Sequence, residues 1–189
     1  MEYRLLRSKR KTLGIEIGPD AQITVRAPLR ASMGEIEEVL REKEAWILKN
    51  RRRILNRIEE EEAKDPKASE PFSEEELRSL ARKARVVVPE RVRHYAPLLG
   101  VIYGRIAIRK QHSRWGSCSS KGNLNFNCLL MLTPPEVVDY IVVHELAHRI
   151  EMNHSKRFYE IVARILPDYK LREQYLKNEG ASLMRRMPR

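Results

Sequence analysis

Over the first thirty positions apolar residues alternate with polar ones, the two-residue period of half-buried strands. Residues 3–7, 12–17 and 22–26 carry it, with Gly18-Pro19-Asp20 as a turn and Pro28 as a stop. Three short strands joined in series predict an antiparallel β-meander, too small to be stable alone. From 32 to about 63 the period lengthens to three and four. Ile36, Val39, Leu40, Trp46, Leu48, Ile54, Leu55 and Ile58 recur on one side and charges fill the other. That spacing predicts one long helix, or two with a break near Asn50. The acidic, then mixed stretch at 59–67 predicts a helix end or linker. The chain is accordingly divided into residues 1–68, a β-meander plus long helix, and residues 69–189, a second domain.

In the second domain Ser73 followed by three glutamates predicts a helix start, and Leu77, Leu80, Ala81 and Ala84 give it an apolar face. Pro89 is expected to interrupt or kink that helix. Residues 101–109 read as a strand, 111–117 continue extended to a turn at Ser119-Ser120-Lys121-Gly122, and 123–130 return as the second arm of a hairpin. Thr133-Pro134-Pro135-Glu136 has the form of a capping box with proline at the first helical positions. The helix it opens is apolar nearly all round through Val137, Val138, Ile141, Val142, Val143, Leu146 and Ala147, which predicts a buried central element. Phe158, Ile161, Val162 and Ile165 predict another helix, 171–183 a short last one, and 184–189 a frayed tail. Strands and helices segregated in this way indicate the α+β class.

The central helix carries the chemistry. His144-Glu145-Leu146-Ala147-His148 is an HExxH sequence. Residues four apart lie one above the other on a helix, so both imidazoles can converge on one zinc ion with bonds of about 2.1 Å. Glu145, turned about 100° from His144, can face a water activated by that metal and act as general base. A catalytic zinc takes three protein ligands and keeps one position open. His154 is the leading third ligand, with Glu151, Glu160 and Glu173 as alternatives; Asn153 could supply a left-handed residue for the chain reversal between the histidines. Zinc suits nitrogen ligands, though iron, cobalt or nickel fit the same donors. Trp115 and Gly116 are candidate substrate-binding residues on a sheet edge, Gly116 for close backbone approach and Trp115 as a wall. Arg114 and His112 are further candidates for substrate binding, one of His112, Ser113 and Arg114 for stabilising a developing oxyanion, and Asp139 or Glu151 for orienting a ligand ring.

Composition sets the surroundings. With 42% hydrophobic and 33% charged residues the chain is globular, and no apolar run approaches the ~20 residues that span a bilayer. The N-terminus lacks the apolar core of a signal peptide, so a cytoplasmic protein with no membrane partner is expected, with Cys118 and Cys128 as reduced thiols. A net charge of +11 would attract polyanions, and adds nucleic acid to the candidate partners.

Several motifs go further than HExxH. Ser113-Arg114-Trp115-Gly116-Ser117-Cys118, Gly122-Asn123-Leu124-Asn125, Pro134-Pro135, Val142 to His148, and Asn153-His154-Ser155 with Phe158 together resemble the YgjP-type metallopeptidase-like family, related to the WLM and SprT zinc proteases. Arg7 to Lys11 and Val25-Arg26-Ala27-Pro28 are similar to it as well, so the resemblance spans nearly the whole chain. It implies a zincin-like core, the HExxH helix packed on a small antiparallel sheet, with zinc at His144, His148 and His154 and Glu145 as base. The second-to-third histidine spacing equals that of metzincins, but Glu151 stands where those carry glycine, and that label is withheld. Zinc-dependent hydrolysis of peptide bonds in a protein or peptide is the leading expectation. Hydrolysis of a nucleotide phosphoanhydride and a nucleic-acid-associated protease or module are the alternatives.

Overall fold

The computed structural model describes residues 1–64 and 66–188, with backbone only at 66 and 67. Clustering divides the chain into two compact units, Met1–Glu70 and Pro71–Arg189.

In the first unit, β1 (Arg4–Ser8), β2 (Gly14–Ile17) and β3 (Ile23–Pro28) form a sheet in the order β1-β3-β2. β2 and β3 are the expected antiparallel hairpin, but β1 lies on the far side of β3 and runs parallel to it. The sheet is therefore not a meander. β3 is the apolar strand, burying Ile23, Val25 and Ala27, and it takes the central place with a partner on each edge. Alternation specifies which face of a strand is buried and is silent on which neighbour it pairs with.

α1 (Met33–Glu42) opens with a capping box between Ser32 and Glu35 and ends at Lys43. α2 (Glu44–Lys64) follows at once, so the break lies there rather than near Asn50, whose amide donates to the Trp46 carbonyl at 2.8 Å inside α2. Only Ile47 of α2 is buried, while Trp46, Leu48 and Leu55 are exposed. α2 runs through most of the stretch expected as a helix end or linker, before a 3-10 turn at Pro66–Ser69; residue 65 lies outside the described residues.

The second unit begins with α3 (Glu74–Leu99), capped by a Ser73–Glu76 box and closed by Gly100 at φ +67°. Left-handed backbone of this kind favours glycine. Pro89 does not end the helix. Val88 and Val92 on either side are fully buried, and their packing outweighs the hydrogen bond that proline removes. β4 (Ile106–Arg109), β5 (Gly116–Cys118) and β6 (Leu124–Asn127) form a sheet in the order β4-β6-β5. β5 is the antiparallel hairpin partner of β6, whereas β4 is parallel to it, so the sheet is mixed rather than antiparallel. β5 is left as an edge.

α4 (Pro135–Ala147) starts without the expected capping box. Its N-cap is Pro134, and the Thr133 hydroxyl donates to the Leu130 carbonyl at 2.9 Å instead. Nine of its thirteen residues are buried, as a central helix requires. Arg91 of α3 forms a two-pronged ion pair with Asp139 of α4 at 2.5 and 2.7 Å, joined by the Tyr95 hydroxyl. α5 (Lys156–Ile165) and α6 (Tyr169–Arg185) complete the unit. The tail expected to fray is packed: Met184 and Met187 are buried, and the Phe72 amide donates to the Arg186 carbonyl at 2.8 Å; Arg189 lies outside the described residues. Among the described residues no helix is long and apolar enough to cross a membrane.

Candidate metal centre

α4 ends at Ala147, and His148 is its C-cap with helical dihedrals (φ −63°, ψ −12°), so the four-residue spacing still stacks His148 over His144. The chain then reverses through Arg149, Ile150 and Glu151, whose amides donate to carbonyls of Leu146 and Ala147. No left-handed residue is needed at Asn153, since Ala21 is the only non-glycine with positive φ among the described residues. The Asn153 amide instead donates to the Glu151 carboxylate at 3.3 Å, and the Ser155 hydroxyl caps α5.

This reversal brings His154 to the other two rings. Its Nε2 lies 2.9 Å from Nε2 of His144, and the three histidines each offer a ligand atom within 4.8 Å of the others. Two nitrogens on a tetrahedral ion with bonds of about 2.1 Å stand about 3.4 Å apart, so the spacing suits a shared cation. The His148 Nδ1 lies 3.1 Å from the Glu151 carbonyl; a proton on Nδ1 donates there and leaves Nε2 as the lone pair. His144 Nδ1 is buried with no hydrogen-bond partner, so on that side packing orients the ring. Phe158 of α5, fully buried, supplies much of it: its ring centroid lies 4.8, 4.6 and 4.9 Å from those of His144, His148 and His154. Three imidazoles on an apolar floor fit a divalent transition ion.

Asp139 does not orient a ligand ring, being held by Arg91 and Tyr95; Glu151 does so through its backbone carbonyl. Glu160 pairs with Lys156 and Glu173 with Lys177, and among the described residues neither joins the histidine group.

Glu145 is 4% exposed and points toward β5. A Cβ on Gly116 would sit 2.6 Å from its Oε1 and 2.7 Å from its Cγ. Gly116 thus makes room for the Glu145 carboxylate, rather than only for a substrate backbone. Burial raises the Glu145 pKa to about 8, against the nearby Arg114 cation, which lowers it. Burial, then the charges of His148 and His154, depress His144 to about 3. His148 is lowered as well, chiefly by burial.

The three histidines and Glu145 line a cleft of about 440 Å³ together with Arg114, Trp115 and Gly116. His112 and Ser113 are exposed and do not line it.

The chain matches the family described as YgjP-like, metallopeptidase domain, over residues 11–78 and 56–179. It belongs to the YgjP-like metallopeptidase family. No curated protein matches it. Among solved structures the YgjP-like chain is similar to the metallopeptidase zymogen of Pyrococcus abyssi abylysin, with 24% identity and a TM-score of 0.45 over 49% of this chain and 93% of that one. It is similar also to the metallopeptidase zymogen of Methanocaldococcus jannaschii jannalysin, with 22% identity and a TM-score of 0.42 over 49% and 94%.

Several residues of this YgjP-like site escape sequence reasoning. Ser117, Cys118, Ile141 and Met152 also line the cleft. Cys118 and Cys128 are free thiols, and burial raises the pKa of each. Asn127 is fully buried, and its amide donates to the carbonyls of Gln111 (2.7 Å) and Arg114 (3.0 Å) while accepting from the Leu129 amide (3.1 Å). The strand expected at 123–130 gave no sign of this clamp. Trp115 is half-buried, and a Cβ on Gly180 of α6 would come within 2.9 Å of its ring. Trp115 therefore both packs on the core and walls the cleft.

Two outcomes follow for the YgjP-like protein. Gly116→Ala should cost about 1–3 kcal/mol of stability, from overpacking against Glu145. In a Glu145→Ala background most of that cost should vanish; additive costs in urea unfolding would separate the two residues. The metal-free protein should also show a plateau in stability against pH. Below about 4.5 stability falls with acid, because unfolded histidine takes a proton that folded His144 refuses down to about 3. Between about 4.5 and 6.5 the Glu145 and His144 contributions oppose one another. From about 6.5 to 8 stability falls as pH rises, because folded Glu145 keeps a proton that the unfolded chain has released. Urea midpoints that climb steadily from pH 6.5 to 8 would contradict these shifts.

Proposed function

We propose that this chain is a zinc-dependent peptidase built on a zincin-like core, with the ion held by His144, His148 and His154 and with Glu145 as general base. The observation that carries the proposal is three imidazole donors converging beside a buried carboxylate, in a cleft flanked by an unpaired strand edge. An ion there would supply Lewis acidity, polarising a substrate carbonyl and acidifying a water.

The chain's own residues do the rest. Glu145, one residue beyond His144, faces the cleft from the same turn of α4 that bears the first ligand. Burial and the Arg114 charge act on it in opposite senses and hold its proton affinity near neutrality, which suits a group that takes a proton and hands it to a leaving amine. Phe158 shields the rear of the three rings from water, and the Glu151 carbonyl fixes the His148 tautomer. β5 is an edge strand, and its unpaired side can take an extended peptide by strand addition, running the substrate backbone past Glu145. Trp115 would wall that groove. Such a substrate is a protein or peptide in extended form, in keeping with a cytoplasmic enzyme; a nucleic-acid partner has the net charge of +11 as its support.

Glu145→Gln should keep its metal and lose peptidase activity by about 10²–10⁴-fold, while His148→Ala should lose both. Elemental analysis with cleavage of an unstructured protein substrate checks this. Substantial turnover by Glu145→Gln would remove the proposed base. Turnover of nucleoside triphosphates with no peptide cleavage would assign the site to phosphoanhydride hydrolysis instead.

A further inference from the structure

We propose that Arg114 makes the cleft selective for peptides carrying a carboxylate near the bond to be cut, either an Asp or Glu side chain or the C-terminal carboxylate. This rests on the peptidase function above and names its substrate class.

Arg114 lines the cleft with the histidines and Glu145, close enough for its charge to act on Glu145. Among the described residues no carboxylate forms an ion pair with its guanidinium. Other cations of this unit are engaged by acids: Arg91 by Asp139, Lys110 by Glu74, Arg172 by Asp168. A guanidinium with a free fork beside a metal centre is a ready partner for a carboxylate, which it can bind with two parallel hydrogen bonds.

The backbone under Arg114 is held in place. Fully buried Asn127 takes the Arg114 carbonyl at 3.0 Å and the Gln111 carbonyl at 2.7 Å on one amide group, and its own amide donates to the Trp115 carbonyl at 2.8 Å. Trp115, the next residue, is pinned against Gly180 of α6. Hydrogen bonds on both sides of the peptide unit thus anchor the base from which the side chain extends, and less ordering is left to be done on binding. His112 and Ser113, two and one residues earlier, stay outside the cleft.

The charge balance points the same way. Among the described residues Glu145 is the only carboxylate lining the cleft, set against the guanidinium and the divalent ion that the histidines would hold. Across residues 71–189 Lys and Arg outnumber Asp and Glu by nearly two to one. The field at the mouth therefore draws anionic chains and repels cationic ones.

The test is a binding measurement on metal-loaded Glu145→Gln protein, so that no turnover occurs, using fluorescein-labelled peptides of one sequence. The peptides carry Glu, Gln or Lys at one scanned position, each with a free or an amidated C-terminus. The Glu peptide should bind roughly tenfold tighter than the Gln peptide if the side chain is the source, and the free acid roughly tenfold tighter than the amide if the terminus is. Adding Arg114→Gln should reduce that ratio to about twofold or less. Arg114→Lys should restore part of it, and Arg114→Glu should turn the preference toward Lys. Equal binding of all peptides, a preference that survives Arg114→Gln, or no peptide binding at all would overturn the proposal. Cleavage by the Glu145-containing protein reports separately. An Arg114-dependent preference without cleavage removes the peptidase function and leaves anion recognition standing, whereas cleavage blind to charge removes this inference alone.

Discussion

Three imidazoles can meet only if a helix stops and the chain doubles back within six residues. Everything near the site serves that constraint. α4 supplies two rings a turn apart and ends at the second, where amide donors to Leu146 and Ala147 bend the chain without any left-handed residue. The capped start of α5 then places Phe158 beneath all three rings. Burial, and after it the charges of His148 and His154, depress the affinity of His144 for protons, and burial lowers that of His148 as well. That is an unfavourable arrangement for an ion-free protein and a favourable one for holding a cation, which competes with protons for the same lone pairs.

A second layer of contacts fixes the carboxylate. Gly116 on β5 touches Glu145, Asn127 on β6 secures the loop before β5, and Trp115 between them rests on α6. Sheet, central helix and last helix are thus linked through a few residues at the cleft. Loss of any one contact would move Glu145 or Arg114 relative to the histidines, and a displacement of about 1 Å at such a site is enough to slow chemistry severely.

Much of this was legible in the sequence, for identifiable reasons. His144, Glu145 and His148 follow from helical spacing alone, and His154 from the need for a nearby third donor; the histidines do converge. The helices 74–99, 135–147 and 156–165 were announced by capping serines, prolines at the first turn and apolar periodicity. What failed were relations between elements. The antiparallel meander became a sheet with a parallel β1, and the extended arm expected over 101–117 breaks in two, so that β4 pairs parallel with β6 and β5 alone is its hairpin partner. Side-chain alternation is the same in either arrangement. Trp46, Leu48 and Leu55 recur at helical spacing yet stay on the surface of α2, because periodicity cannot tell a core-facing stripe from an unpaired one. Gly116 was expected to admit a substrate backbone, and the group found against it is the Glu145 carboxylate. His112 shares its loop with Arg114 and nevertheless lies outside the cleft, since the chain bends at 112 and 113 instead of running as a strand.

The most direct test is anomalous diffraction at the zinc absorption edge from crystals of the purified protein. One peak bonded to single ring nitrogens of His144, His148 and His154 at about 2.1 Å, with the Glu145 carboxylate outside the ligand shell, is the predicted result. No ion after equilibration with zinc, or an ion that excludes one of the three rings or recruits Glu145 as a ligand, would contradict it.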